Sequence, residues 1–215
     1  MTTSLPFALM EAPAALAECN GWTEEVYRDL LALQSGRMDQ TQIDAKYLRR
    51  KAILDLDLTG FTVHSFGGKQ MQGLLRILDA QKVCIPTLRE HRATLVRAFA
   101  DDLVALFDDP GDALDAAFEI HRRIGVFNLS AHASTQPAHC CIGLGFGDVY
   151  AIGPNLAMGD EMNRASRLGE DTARGTETLV TANFYEALRG RVNVTFEPVA
   201  QDDMLFPYYR AVPKA

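Results

Sequence analysis

The stretch Ala-Ile-Leu-Asp-Leu-Asp-Leu-Thr-Gly-Phe-Thr at residues 52–62 constrains this chain more than any other. An apolar run ends there in two carboxylates one residue apart and turns at once through Thr59-Gly60-Phe61-Thr62. Alternate side chains of a strand share a face, so Asp55 and Asp57 point the same way. Two carboxylates held together repel, at a cost of several kcal/mol when partly buried, and a divalent cation between them relieves it. An exposed strand end with two hydrated acids is the alternative, and the stretch alone leaves both open.

A chain of 215 residues suits one domain of α/β size with an appended helical arm. The net charge of −7 argues against a grip on nucleic acid, whose affinity comes largely from basic side chains. Cys19, Cys84, Cys140 and Cys141 show no C-x-x-C spacing and read as reduced, mostly buried thiols. There is no basic-then-apolar leader and no apolar run near the roughly 20 residues of a spanning helix. A cytoplasmic protein without nucleic-acid or membrane partners is expected. His64, His91, His121, His132 and His139 have no metal-ligand spacing and suit helix or core roles.

Residues 1–45 read as an N-terminal helical arm, with Thr23 capping a helix to about Gln34 and Gly36 as its stop. Residues 46–215 read as the main domain, which carries the paired acids. The basic cluster Lys46, Arg49, Arg50 and Lys51 reads as a solvated approach to the first strand. After Phe61, Met71, Leu74, Leu75, Ile77 and Leu78 are spaced for one buried helix face, and Pro86 predicts a kink or a second helix. Gly67-Gly68 leave backbone N–H groups open near that helix's start, a seat for phosphate. Residues 94–107 predict a hairpin turning at Ala100-Asp101, which would bring Asp101 or Asp102 to Asp57. A helix over 111–130, a strand over 139–146 and a helix over 159–170 follow, with Tyr208-Tyr209 in a closing strand. The order βαββαβ predicts an α+β, ferredoxin-like palm, its mainly antiparallel sheet covered by helices on one face.

Two families share features with the acids. Asp55-Leu56-Asp57-Leu58-Thr59 resembles the D-x-D-x-T motif of haloacid-dehalogenase-like phosphatases. Asp101-Asp102 follow too soon, however, for the alternating βαβ units of that family. Asp57 to Thr62 resembles instead the D-[IL]-x-G-F-[TS] motif of class III nucleotidyl cyclases, the adenylate and guanylate cyclase family. Arg97 to Phe107 is similar to its K-x-x-G-D-x-x-x-x-x-F hairpin, Gly143 to Gly147 to its G-[IL]-x-x-G strand, and Gly159 to Leu168 to its G-x-x-[VL]-N-x-A-x-R-L helix. Four motifs in register carry the resemblance over roughly residues 50–212.

The resemblance implies cyclisation of a nucleoside triphosphate with release of pyrophosphate. It implies two Mn²⁺ or Mg²⁺ ions held by Asp57, Asp101 and the Leu58 carbonyl, with Gly60, Phe61 and Thr62 in the nucleotide-binding turn. Asn163 would orient the ribose and Arg167 neutralise charge at phosphorus, both lent by the second chain of a homodimer with shared sites. At the base-reading positions this chain has Arg97, Leu156 and Asp55, a smaller pocket that suits uracil, whose two carbonyls flank one N–H. The chain thus resembles the stand-alone uridylate cyclases of bacterial antiphage defence, whose cyclic UMP is read by an effector protein. A purine cyclase making cAMP or cGMP is the alternative, and an inactive cyclase-fold binding module a further one. The family's phosphate-binding lysine is replaced around Asp202-Asp203, which leaves Arg50, Lys51 or Lys69 for the triphosphate.

Overall fold

The computed structural model describes residues 9–18, 21–59, 70–130, 137–152, 157–200 and 204–214. They divide into two compact units, Met1–Arg49 with Tyr150–Met158, and Arg50–Val149 with Gly159–Ala215.

The first unit holds α1 (Pro13–Ala17), α2 (Glu24–Gln34) and α3 (Gln40–Tyr47). Thr23 accepts the Val26 N–H to cap α2, and Asp39 with Gln42 forms a reciprocal capping box for α3. Val26, Ile43, Tyr47 and Ile152 bury together, with Trp22, Leu30 and Tyr150 packed around them. Buried Asp29 accepts from Lys46 Nζ at 2.5 Å and from the Tyr47 hydroxyl at 2.6 Å, which compensates its desolvation. A short β-ladder, Tyr150↔Met158 and Ala151↔Ala157, belongs to this unit.

The second unit is a sheet with helices against it. Its elements are β1 (Leu48–Leu58), α4 (Gln70–Glu90), β2 (Leu95–Phe99), β3 (Asp102–Phe107), α5 (Pro110–Asn128), β4 (Cys140–Ala151), α6 (Asp160–Ser166), β6 (Thr178–Thr181), α7 (Ala182–Leu188), β7 (Val194–Pro198) and β8 (Tyr208–Pro213), with Ala157–Met158 numbered β5. The strand order is β2-β3-β1-β4-β6-β8-β7. The pairs β1/β3, β2/β3, β6/β8 and β7/β8 are antiparallel and β4/β6 is parallel. The connection β1-α4-β2-β3-α5-β4 is the expected βαββαβ core, in an α+β fold. An antiparallel hairpin thus follows the first helix where the phosphatase reading needs further βαβ units, and that reading falls.

Strand alternation decides which side of β1 meets the helices. Leu54, Leu56 and Leu58 join Ala80, Cys84 and Leu88 of α4 and Leu114, Ile120 and Ile124 of α5 in the core. That leaves Asp55 and Asp57 for the other face. Burial keeps the His121 imidazole neutral, its pKa pushed down to about 4, with Nε2 3.0 Å from Thr178 Oγ1. Burial also pushes the Cys84 thiol up to about 12, an inert core group.

Helix α4 departs from its expected orientation. Met71, Leu74, Leu75 and Leu78 are 46–67% exposed, while Gly73, Arg76, Asp79, Ala80, Cys84, Thr87 and Leu88 face inward. Ala80, Cys84 and Leu88 join the core with Leu54, Leu56 and Leu58, and the bulky stripe stays outside. Pro86 lies within one continuous helix rather than between two. Among the described residues no helix is long and apolar enough to cross a membrane.

Candidate active site

The site begins where β1 and the β2–β3 hairpin end side by side. Leu56 pairs with Leu103, so the next step along the ladder sets Asp57 beside Asp102 and the Ala100-Asp101 turn. Ala100 has φ 51°, a left-handed conformation that costs a β-carbon roughly 1–2 kcal/mol. Ala100→Gly should therefore keep or raise stability by up to about 1 kcal/mol after the larger chain entropy of glycine is subtracted, read as the urea midpoint.

Asp57 is half-buried, and its carboxyl is pushed up to about 7 by burial first and then by Asp101, Asp102 and Glu170. Burial and Asp101 also raise Asp102, while burial and Asp102 raise Glu170 at the rim of the cluster. Arg97, half-buried on β2, is the cation that opposes these shifts at Asp102 and Glu170. Among the described residues no three His, Cys, Asp or Glu groups converge to cage an ion. The hard oxygens of Asp57 and Asp101 and the mutual repulsion of the acids nevertheless suit Mg²⁺ or Mn²⁺. The Leu58 N–H hydrogen-bonds the Asp57 carboxyl, which lowers its pKa but does not offset the neighbouring acids.

Asp55 does not take the place expected of it. It is 1% exposed, its Oδ2 accepts the Ser166 hydroxyl at 2.6 Å, and its Oδ1 is buried without a partner among the described residues. Burial pushes its carboxyl up to about 7. A carboxyl so enclosed ties β1 to α6 and does not present an edge to a base. Arg50 lies far from the acids of its own chain. It stands seven residues before Asp57 on the same strand, about 23 Å away at 3.3 Å per residue, where it lies 3.8 Å from Asp148 and over the Phe146 ring. Lys51 is likewise engaged, with Asp108. Gly60, Phe61, Thr62 and Leu156 lie outside the described residues, as do Gly67, Gly68, Lys69, Asp202 and Asp203.

Asn163 and Arg167 are exposed on α6 and on the π-helical turn Arg167–Thr172 that continues it. Turns of this kind recur at functional sites. The glycine at 143 has a steric reason, because a Cβ there would lie 2.0 Å from the Ala165 carbonyl oxygen and 2.6 Å from the Gly169 nitrogen. The helix thus packs backbone to backbone on β4. Asp102 stands beside Asp57 as the hairpin reading expects, whereas sequence reasoning missed Glu170 as a site acid, Ser166 as the partner of Asp55, and Arg76. The Arg76 guanidinium is buried, donates to the Thr59 carbonyl at 2.8 Å, and has Nε and Nη1 without partners among the described residues.

No family model and no curated protein sequence matches the chain. Solved structures do. The adenylyl cyclase CyaB from P. aeruginosa is 17% identical, with TM-score 0.64, over 78% of this chain and 97% of that one. The guanylyl cyclase Cya2 is 21% identical, with TM-score 0.66, over 78% and 94%. The guanylate cyclase domain of RhGC from Catenaria anguillulae, solved with GTP, is 18% identical, with TM-score 0.63, over 77% and 97%. The chain has the fold of the adenylyl and guanylyl cyclase catalytic domains.

Proposed function

We propose that the protein is a nucleotidyl cyclase that closes UTP to 3′,5′-cyclic UMP and releases pyrophosphate, as a homodimer with shared sites. The observation that carries this reading is the meeting of Asp57 with the Asp101 turn, on a fold shared with solved adenylyl and guanylyl cyclases. Two divalent ions bound by Asp57, Asp101 and the Leu58 carbonyl would acidify the ribose 3′-hydroxyl and hold the leaving phosphates. Asn163 orients the ribose, and the Arg167 guanidinium meets charge developing at phosphorus, a contact worth about 3 kcal/mol or more.

Support for the second chain comes from what surrounds Asp57. The charges that act most on it are acids, so a cation is needed there, and Arg167 of a second chain would add its charge to that of the metal ions. The exposed stripe of Met71, Leu74, Leu75 and Leu78 is also apolar surface of the kind a partner covers. For the base, Arg97 supplies donors for the two uracil carbonyls. Asp102 and Glu170, both within its field, supply the acceptor for the N–H between them in place of the enclosed Asp55. Cyclic UMP would serve as a second messenger for an effector protein in antiphage defence.

Incubation of pure protein and Mn²⁺ with ATP, GTP, CTP or UTP, with products identified by mass, tests the reading. Cyclic UMP with pyrophosphate is expected. A cyclic purine nucleotide would overturn the base assignment alone, and no cyclic product from any of the four would overturn the cyclase.

A further inference from the structure

Helix α6 is seven residues long, too short to hold itself in water, yet it carries Asn163 and leads into Arg167. What holds it is a pair of carboxylates, one at each end. Near its start Glu161, 3% exposed, accepts four donors: the Phe146 N–H at 3.2 Å, Asn183 Nδ2 at 2.9 Å, Arg164 Nη1 at 3.3 Å, and the Thr181 hydroxyl. The direction of that last bond is fixed, because Thr181 Oγ1 also accepts the Phe184 N–H at 3.3 Å as the cap of α7 and so has its proton free for Glu161. Space for the side chain is made at Gly147, where a Cβ would lie 3.2 Å from both Cβ and Cγ of Glu161. At the far end, Ser166 donates to Asp55 at 2.6 Å.

We propose that Glu161 is a positioning residue for Asn163. Met162 and Ala165 bury the inner face of α6 while Asn163 faces out, so the azimuth of Asn163 is set by how firmly Glu161 is held two residues away. This inference rests on the cyclase reading and deepens it. An ionised carboxylate accepts all four donors, whereas an amide of the same shape would set its own N–H₂ against groups that also donate. Loosening α6 by a fraction of a turn would move the Asn163 amide by about 1 Å, a displacement that can cost on the order of a hundredfold in rate.

The test is Glu161→Gln, with hydrogen exchange at the backbone amides of residues 162–168 and steady-state kinetics on the nucleotide the parent turns over. The kcat should fall by about tenfold to a hundredfold with KM changed less than about twofold, and exchange across α6 should quicken. Glu161→Gln with Asn183→Asp restores a donor–acceptor pair between the two side chains and should recover most of kcat and of the protection. Parental kcat in Glu161→Gln overturns the proposal, and so does lost kcat with parental exchange. If the parent cyclises no nucleotide, the cyclase reading fails by itself, and exchange still decides whether Glu161 holds α6. Should Glu161→Gln not yield folded protein, Asn183→Ala removes one donor and is expected to lose about threefold in kcat with faster α6 exchange. Unchanged kcat and exchange there would overturn the proposal equally.

Discussion

Asp57→Ala is expected to abolish cyclisation, a loss of at least about a thousandfold, and yet to give a metal-free protein no less stable than its parent. A metal-bridging acid supports several kcal/mol of transition-state charge stabilisation, and each 1.36 kcal/mol is tenfold in rate. The stability half follows from the surroundings of Asp57. Its carboxyl is raised from 3.8 to about 7 by burial and by Asp101, Asp102 and Glu170, so in the folded protein the ionised form is the disfavoured one. A raised carboxyl binds its proton more tightly folded than unfolded. Metal-free stability from this group is therefore full below about 4 and is lost as the pH rises to about 7. Urea unfolding in EDTA should show the parent less stable at pH 8 than at pH 5, with a smaller difference in Asp57→Asn. Adding Mn²⁺ at pH 8 should raise the parental midpoint and leave that of Asp57→Ala unmoved. Asp101→Ala should match the loss of turnover. Persistent turnover in either variant would remove the acid it replaces from the mechanism.

The acids could be located from sequence because their placement depends on local rules. The period-two alternation of β1 put Asp55 and Asp57 on one face, and a two-residue turn at Ala100-Asp101 set the hairpin that brings Asp102 alongside. The rest depends on contacts distant in the chain. Asp55 reads as a base contact until Ser166, 111 residues later, is found to hold its carboxyl. Arg50 and Lys51 lie close to the acids in sequence and at the other end of the strand in space. The outward stripe of α4 could not be foreseen either, because apolar periodicity names a face without saying whether its partner lies in the same chain. Glu161 carries no motif of its own, and its importance appears only when the ends of four donors are found around it.

A mixture of two dead chains, Asp57→Ala and Arg167→Ala, should regain activity that neither has alone. Ser166 on Asp55 and Glu161 on Thr181 and Asn183 pin α6 to its own chain, so Arg167 is not free to swing onto the acids of that chain. The leading charges on Asp57 are all acidic, and Arg167 is not one of them. If Arg167 serves the acids of a neighbour instead, a heterodimer of the two variants holds one site with both defects and one with neither. Random pairing at equal amounts makes about half the dimers mixed, so about a quarter of the parental sites return, provided the two chains are unfolded and refolded together or exchange freely. A mixture of Asp57→Ala with Asp101→Ala is the control, because both changes strike the acid half and every site in the mixed dimer remains broken. Recovery in the first mixture and none in the second fixes the two halves of the site on different chains. No recovery in the first, with mixed dimers shown to form, would place Arg167 and Asp57 in the service of the same chain.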